Sequence, residues 1–560
     1  MIGGTAIPAD RMKREGLLCA IKKGIQLLEL EQRTPKTYKE AINGPDAVKW
    51  IAAMKKEINS CETNETWERV PREKLRKRTN IIKNKWVYKI KVDENGEVLE
   101  YKARLTPKGF MQKEGVDYFE VFAATGKYKS MRLGLSLTAS MDHELDQMDV
   151  PSAFLKADIM EEVYMDMPEG FKEDGMVLLL KKALYGLKQA PREWYLLIRK
   201  FVTEELGFTA TVSDPCLFFQ RSKSGKLILM FLFVDDFQIS YHRDDREEWY
   251  IAKRKLMERF GTKDMGPSKW ILGMRINRDR TKRTITLDHE LYITKALERF
   301  GLTECKTFST PEALVRGSSI GKEDARDGGE EPCDRQRYME LIGTLMYPSI
   351  STRPDIANAA RSLAQHMQHP KRRHEVAAER VLRYLAGTKG LGLLFGRKRL
   401  NGTDDMNIMA YGDADWSNDK NDRKSITGWI VKLNGDVISW ASKKQHTRAQ
   451  STCEAELYAE AAAVNEVLWM RGLMQELGLV MDGRSLVYCD NQPAIAVSKN
   501  GIKSERTKHV DVKYHFVTEM INNKTIEVKY LQTDKQQADI LTKPLDKSKF
   551  EAFRSQLMMY

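Results

Sequence analysis

The spacing of hydrophobic and polar positions changes repeatedly along this chain, and each change predicts an element. Ala41, Val48, Ile51, Ala52 and Ile58 recur at helical intervals, which predicts one or two amphipathic helices between Tyr38 and Ser60. In WVYKIKV the period drops to two, with Trp86, Tyr88, Ile90 and Val92 alternating with Val87, Lys89 and Lys91. The Asn95-Gly96 pair then supplies a turn and EVLEYKARL returns, which predicts a β-hairpin whose Lys89 and Lys91 face points away from the core. Glycine and proline punctuate Leu105 to Gly126, and Lys129 to Ala139 reads as a helix. The longest unbroken apolar run, Leu227 to Val234, has eight residues, the length of a strand, and apolar positions resume at Phe237 and Ile239.

Further on the pattern resets. Arg316 to Gln336 is polar, Gly-rich and charged, which predicts an exposed linker and a domain boundary. Residues 338–387 are helical in pattern and stop at the glycines of RYLAGTKG. Beyond Asn407 a second α/β unit is predicted, with strands IMAYGD, TGWIVKL and DVISWAS, the last two joined across Asn434-Gly435. A helix from Ser451 to Leu477 follows, its stripe Leu457, Ala461, Val464 and Leu468 spaced 4-3-4. Then come a strand SLVYCD, a short helix from Pro493, a strand IEVKYL and a helix carrying KQQADILTK.

Composition narrows the class. At 560 residues, with 42% hydrophobic and 31% charged, the chain is large enough for about two to four domains and too apolar for wholesale disorder. Its longest apolar run falls far short of the roughly 20 residues of a spanning helix, and MIGGTAIPADRMKREG has no signal-peptide pattern, so neither a membrane span nor secretion is expected. Lys and Arg number 92 against 79 Asp and Glu, a net charge of +13. That excess suits a polyanionic partner and equally a basic enzyme with solvated lysines. Seven scattered cysteines without a C-x-x-C predict no disulfide framework or zinc finger and fit a reducing compartment. His366, His369 and His374 cluster without a nearby Cys or acidic ligand, which favours a surface or helix-packing role over metal binding.

Asp235 and Asp236 are the costly residues of this sequence, adjacent carboxylates at the end of an apolar strand. Like charges placed there need a neutralising cation, unless they merely form a polar turn. Asp149 ends the strand-like ELDQMDV and precedes PSAFLKAD, which could start a helix. One carboxylate on a strand end and two on a facing hairpin can hold a pair of Mg²⁺ ions about 4 Å apart, the arrangement that serves in-line phosphoryl displacement.

In that order, QMDVPSAFLKAD, VYMDMPEGF, LYGLKQAPREWY and FVDD resemble the reverse transcriptase of copia-type LTR retrotransposons. Upstream, NETWERV, KWVYKIKVDENGEVLEYKARL and KGFMQKEGVDYFEVF are similar to its fingers region, and downstream GTLMYPSISTRPDI, RYLAGT and ADILTKPL follow in family order, so the resemblance covers roughly residues 34–546. It implies an α+β right-hand polymerase followed by an α/β RNase H-like domain. The expected division is an N-terminal tail (1–33), fingers and palm (34–250), a thumb-like region (251–315), a polar linker (316–337), a helical connection (338–404), the RNase H-like domain (405–546) and a C-terminal tail (547–560).

The resemblance implies that Asp149, Asp235 and Asp236 are the polymerase carboxylates, that Phe154 lies under the incoming sugar, that Gln189 lines the nucleotide pocket, and that Arg104 and Lys89 hold the triphosphate. Asp413 in AYGDADW, Glu456 in STCEAELYAE, Asp490 in VYCDNQ and Asp539 in QQADILTK resemble the four acids of an RNase H site, with Glu456 rather than Glu454 turned inward. His509, Asp511 and His515 match a family motif without a chemical role. The implied activity is RNA-directed DNA synthesis with cleavage of the RNA strand of hybrids, using two Mg²⁺ per site, with Mn²⁺ as a substitute. RNA template, DNA primer, RNA–DNA hybrid, dNTPs and other Pol or Gag products are the implied partners, with no membrane. The implied locations are a cytoplasmic virus-like particle and the nucleus.

Several positions depart from the family pattern: FVDD for the usual YVDD, Pro151 for a usual Lys, FAATGK without its usual Pro, and Pro107 in RLTPKGF. None removes a metal ligand. The rival expectation they raise is a catalytically decayed or domesticated nucleic-acid-binding protein. Capsid, protease and integrase segments are absent from the sequence, which reads as part of a Pol polyprotein or a truncated reading frame.

Overall fold

The structure, a computed structural model, describes residues 33–92, 97–313, 331–398, 406–417, 422–479, 481, 483–500 and 511–558, excepting the side chains of Val92 and of residues 511–514. The N-terminal tail up to residue 32, the Asn95-Gly96 turn, most of the polar linker and His509 lie outside these residues.

Leu227–Phe233 organises the first half of the molecule. All seven residues are buried, and their period-two alternation divides them between two cores. Leu227, Leu229, Phe231 and Phe233 enter the core that continues toward the C-terminus, while Ile228, Met230 and Leu232 enter the core shared with the N-terminal region. The strand is thus a septum, and only an unbroken apolar run can fill that role. Around it lies an antiparallel sheet in the order Lys263–Pro267, Glu144–Asp149, Asp236–Tyr241, Leu227–Phe233, Leu217–Arg221 and Thr209–Ala210. This is the palm.

The fingers carry a four-stranded sheet of Trp67–Pro71, Met176–Lys182, Asp158–Asp166 and Ile81–Ile82, plus the separate hairpin Asn84–Val92 with Val98–Pro107. Trp86 and Tyr88 are buried while Lys89 and Lys91 are exposed, as the alternation requires. The N-terminal helices are Tyr38–Asn43 and Ala47–Thr63, but the longer one turns a different face inward from the one expected. It buries Trp50, Ala53, Met54, Ile58 and Cys61 and leaves Val48 and Ile51 exposed, because Trp50, packed edge-on against Tyr88 and Tyr101, brings far more apolar area than either.

The thumb-like region and the connection are not separate layers. Trp270–Ile271, Met274–Asp279 and Thr284–Asp288 form one sheet with Gly392–Phe395, so the expected boundary near residue 337 falls inside a single packed unit. Between these strands run helices Arg335–Ser351, Ala357–Ala364 and Arg372–Gly387. His366 and His374 stack with ring centroids 3.9 Å apart and His374 is buried, so these two pack together, while His369 is exposed.

The C-terminal unit is a five-stranded sheet ordered Asp436–Lys444, Ile426–Leu433, Ile408–Asp415, Ser485–Cys489 and Ile526–Tyr530, with the first three antiparallel and the last two joined in parallel. The helix Thr452–Glu476 crosses it, which is the RNase H-like arrangement. Two expectations are corrected here. KQQADILTK forms the short 3-10 turns Thr533–Lys535 and Gln537–Leu541 rather than a helix, held down by burial of Ala538, Ile540 and Leu541. The C-terminal tail is instead a helix, Lys547–Leu557, capped by Asp546 and anchored through buried Phe550, Phe553 and Leu557.

Candidate active sites

The first site lies where two palm strands end side by side. Asp149 is the last residue of Glu144–Asp149 and stands in direct antiparallel register with Asp236, the first residue of the neighbouring strand. Phe233 pairs with Asp236, leaving Val234 and Asp235 as a two-residue hairpin loop. Val234 has a left-handed backbone with φ of 59°, unusual for a β-branched residue and costing about 1–3 kcal/mol. Surrounding bonds hold the loop in place: the buried Trp194 indole donates to the Val234 carbonyl at 2.5 Å, and Val150 N–H donates to the Asp235 carbonyl at 2.9 Å. Gly126 lies against the Phe233 ring at a distance that leaves no room for a side chain.

The charges here are poorly compensated. Burial pushes the Asp236 carboxyl up to about 6, reinforced by Asp235 and Asp149. Asp235 is raised for the same first reason, with Asp149 adding to the effect and Arg104 and Lys102 opposing it. Among the described residues none of the three acids forms an ion pair with a Lys, Arg or His. Uncompensated, partly buried carboxylates in register fit a divalent cation.

The other polymerase candidates are spread over the adjoining surface. PSAFLKAD forms only a 3-10 turn, Ala153–Lys156, entered through a left-handed Ser152. Phe154 on it is half-buried, its ring centroid 5.8 Å from that of Tyr185, and the Arg104 guanidinium lies 5.5 Å from the same Tyr185 ring. Tyr185 therefore bridges two residues that sequence reasoning named separately, and Lys102, across the hairpin from Lys89, is a second basic residue it passed over. Both signals were available: LEYKARL places Lys102 and Arg104 on one strand face, and LYGLK offers an aromatic beside a glycine. Lys89 is exposed on that same hairpin face. Gln189 is fully buried, its amide bonded to Gln112 and to the Asp117 carbonyl, both at 2.9 Å, so its side chain does not reach the surface.

The second site gathers the C-terminal acids. Asp413 lies on the central strand, Glu456 on the long helix, Asp490 just past the end of Ser485–Cys489 and Asp539 in the second 3-10 turn. Close approach depends on glycine: a Cβ at Gly428, the register partner of Asp413, would meet Thr542 Cγ2 at 2.7 Å. That space lets Thr542 donate to Asp413 at 2.5 Å. Burial raises Asp413 to about 7, with Asp539 and Asp490 adding to the effect against Lys543. Glu456 is raised by burial and then by Asp413 and Asp490, and its Oε2 is buried without a hydrogen-bond partner. An orphaned carboxylate oxygen facing two more acids fits a metal ligand. Glu454 instead turns back toward the start of its helix, accepting from Gln450 N–H at 2.7 Å, while Ser451 is the cap. Asp539 is the most closely paired of the four, with Lys543 at 2.7 Å and Lys549 at 2.5 Å, while Asp413 meets Lys543 at 3.9 Å. His515 is exposed on the helix Asp511–Asn522.

Comparison with known proteins agrees with this geometry. Residues 64–313 match the family described as reverse transcriptase (RNA-dependent DNA polymerase). The retrovirus-related Pol polyprotein from transposon TNT 1-94 of Nicotiana tabacum is 40% identical over 537 residues, covering 95% of this chain and 39% of that protein. The corresponding polyprotein from transposon RE1 of Arabidopsis thaliana is 35% identical over 513 residues, covering 91% of this chain and 34% of the relative. The chain thus spans well under half the length of the relatives it matches. Among solved structures, a foamy viral protease-reverse transcriptase in complex with double-stranded DNA is similar at a TM-score of 0.45 and 10% identity, over 86% of this chain and 69% of that one. Over more than nine-tenths of its length the chain is thus similar to Pol polyproteins of copia-type retrotransposons, and its residues 64–313 match the reverse transcriptase family.

Proposed function

We propose that the chain copies RNA into DNA at the palm carboxylates and cleaves the RNA strand of RNA–DNA hybrids at the C-terminal acids. The observation that carries this reading is the cross-strand register of Asp149 with Asp236 beside the pinned Val234-Asp235 loop, three carboxylates with no ion-pair partner among the described residues. Asp149, Asp235 and Asp236 would hold metal at the first site, and Asp413, Glu456 and Asp490 at the second, with Asp539 joining if its lysines yield. When bound, a pair of Mg²⁺ ions at each site, or Mn²⁺ in their place, supplies the positive charge that stabilises the attacking and leaving oxygens of in-line displacement.

The chain's own groups do the positioning. Arg104 and Lys102 present fixed positive charge to the palm acids and suit a triphosphate, which needs donors opposite its metals. Lys89, on the same face, extends that charge. Phe154, on its turn four residues beyond the buried Val150, would exclude a 2′-hydroxyl, while Gln189 would brace the nucleotide pocket through Gln112. RNA template, DNA primer and dNTPs are the substrates, and a cytoplasmic virus-like particle is the setting. Extension of a DNA primer on an RNA template by the full chain, with and without Mg²⁺, tests the reading. Metal-independent nucleic-acid binding with no extension in either Mg²⁺ or Mn²⁺ would favour the domesticated alternative.

A further inference from the structure

Among the described residues, one set of three side chains has donor atoms all within 4.8 Å of one another, and it includes a thiol. The set is Glu456, Cys489 and Asp490. Cys489 is the last residue of the strand running parallel beside the one that carries Asp413, and it is 1% exposed. Its Sγ accepts the Asn491 backbone N–H at 3.4 Å, while burial and then the Glu456 and Glu460 carboxylates push the thiol up and keep its proton on. Glu456, 7% exposed, brings a carboxylate oxygen to the set, and its Oε2 is buried without a hydrogen-bond partner among the described residues. Phosphoryl-transfer chemistry with Mg²⁺ has no use for sulfur, because that ion takes hard oxygen ligands and leaves thiolates alone.

We propose that Glu456, Cys489 and Asp490 form a binding site for a borderline-soft divalent cation of the Zn²⁺ class, held by one thiolate and two carboxylates. Zn²⁺ accepts sulfur and carboxylate oxygen together in low-coordinate sites. As the metal–sulfur bond forms, the thiol proton passes to solvent, so no oxidant or reductant is required. Such an ion shares two carboxylates with the hybrid-cleavage site and would compete there with Mg²⁺. The palm cluster consists of carboxylates only, so DNA synthesis would not share this sensitivity. Binding itself does not depend on the hybrid-cleavage reading; only that competition does.

Cobalt(II) reports the site directly, because a thiolate ligand gives it a near-ultraviolet charge-transfer absorption. The reduced, metal-stripped full chain should develop this band on titration with Co²⁺ and lose it on addition of Zn²⁺. The band should vanish in both Cys489→Ser and Cys489→Ala, weaken in Glu456→Gln, where every cysteine remains, and persist in Cys453→Ser, one helical turn before Glu456. Absence of the band in the parent chain, its persistence in both Cys489 variants with native circular dichroism, or an unchanged band in Glu456→Gln overturns the proposal. Cleavage of an RNA–DNA hybrid, assayed separately in Mg²⁺, keeps the two readings apart. A band without cleavage contradicts the nuclease reading alone, and cleavage without a band contradicts this one alone.

Discussion

Asp413 carries a large electrostatic cost at the second site, and that cost makes stability depend on pH in a definite direction. Burial lifts its carboxyl from the ordinary 3.8 to about 7, and Asp236 likewise to about 6. An acid whose folded pKa is raised holds its proton more tightly in the folded state, so the metal-free chain loses stability as pH rises from near 4 through about 7. In chelator the melting temperature should therefore fall between about pH 5 and about pH 8, and Mg²⁺ should restore it by replacing the proton. Asp413→Asn should stabilise the metal-free chain at the upper pH by about 1–3 kcal/mol and blunt the response to Mg²⁺. A melting temperature that rises with pH in chelator would contradict this assignment.

Phe154 poses a second question at this scale. As a steric gate, Phe154→Val should raise ribonucleotide incorporation about tenfold or more relative to deoxynucleotide, a loss of discrimination of roughly 1.4 kcal/mol. As packing alone, the same change should cost about 1–3 kcal/mol of stability and leave sugar selectivity unchanged. Single-nucleotide incorporation beside a melting curve separates the two. Individual acids were legible in the sequence because a carboxylate beside an apolar run is conspicuous. Cys489, Thr542 and Lys543 were not, because nothing marks a strand-end cysteine or a surface-type lysine until the fold brings it to Asp413 and Glu456.

At the scale of elements, the palm helix Tyr128–Ser140 joins the two halves of the chain. Its Arg132 is buried with no ion-paired carboxylate among the described residues and donates to the Ile438, Ile350 and Ser351 carbonyls at 2.7, 3.0 and 3.0 Å, its guanidinium 4.1 Å from the Trp440 ring. Lys129 pairs with Glu466, and Glu476 accepts from both the backbone and the hydroxyl of Ser213. Arg132→Met would strand three carbonyls, at a cost of about 3 kcal/mol in denaturant unfolding. Gly134→Ala should also destabilise, by about 1–3 kcal/mol, since a Cβ there would meet the Phe231 ring at 1.9 Å.

Strands were the most legible elements, because alternation and the unbroken run at Leu227–Phe233 reflect burial directly. The misread elements share a cause: their faces are set by distant partners. Trp50 chose the face of its helix by meeting Tyr88 and Tyr101, and the 3-10 turn at Asp539 is fixed by Lys549 from the C-terminal helix. The boundary drawn at the polar linker failed because strand Gly392–Phe395 returns across it to pair with Thr284–Asp288.

On the scale of the whole molecule, the same hydrophobic core runs from the palm helix through the thumb strands into the C-terminal sheet, so the two carboxylate sites sit on one continuous body. The net charge of +13 should make binding to primer-template mainly electrostatic. Affinity should fall steeply with salt, with a log-log slope of roughly 0.7 to 0.9 per phosphate contacted, and a flat response would remove the nucleic-acid partner from the account. The central claim is that two separate carboxylate clusters perform two reactions, and one paired assay tests it most directly: primer extension on an RNA template and cleavage of the resulting hybrid, in Mg²⁺, for the parent chain, Asp235→Asn and Asp490→Asn. The account predicts that Asp235→Asn abolishes extension and leaves cleavage of a preformed hybrid intact, while Asp490→Asn does the reverse. Extension at the parent rate by Asp235→Asn would contradict it.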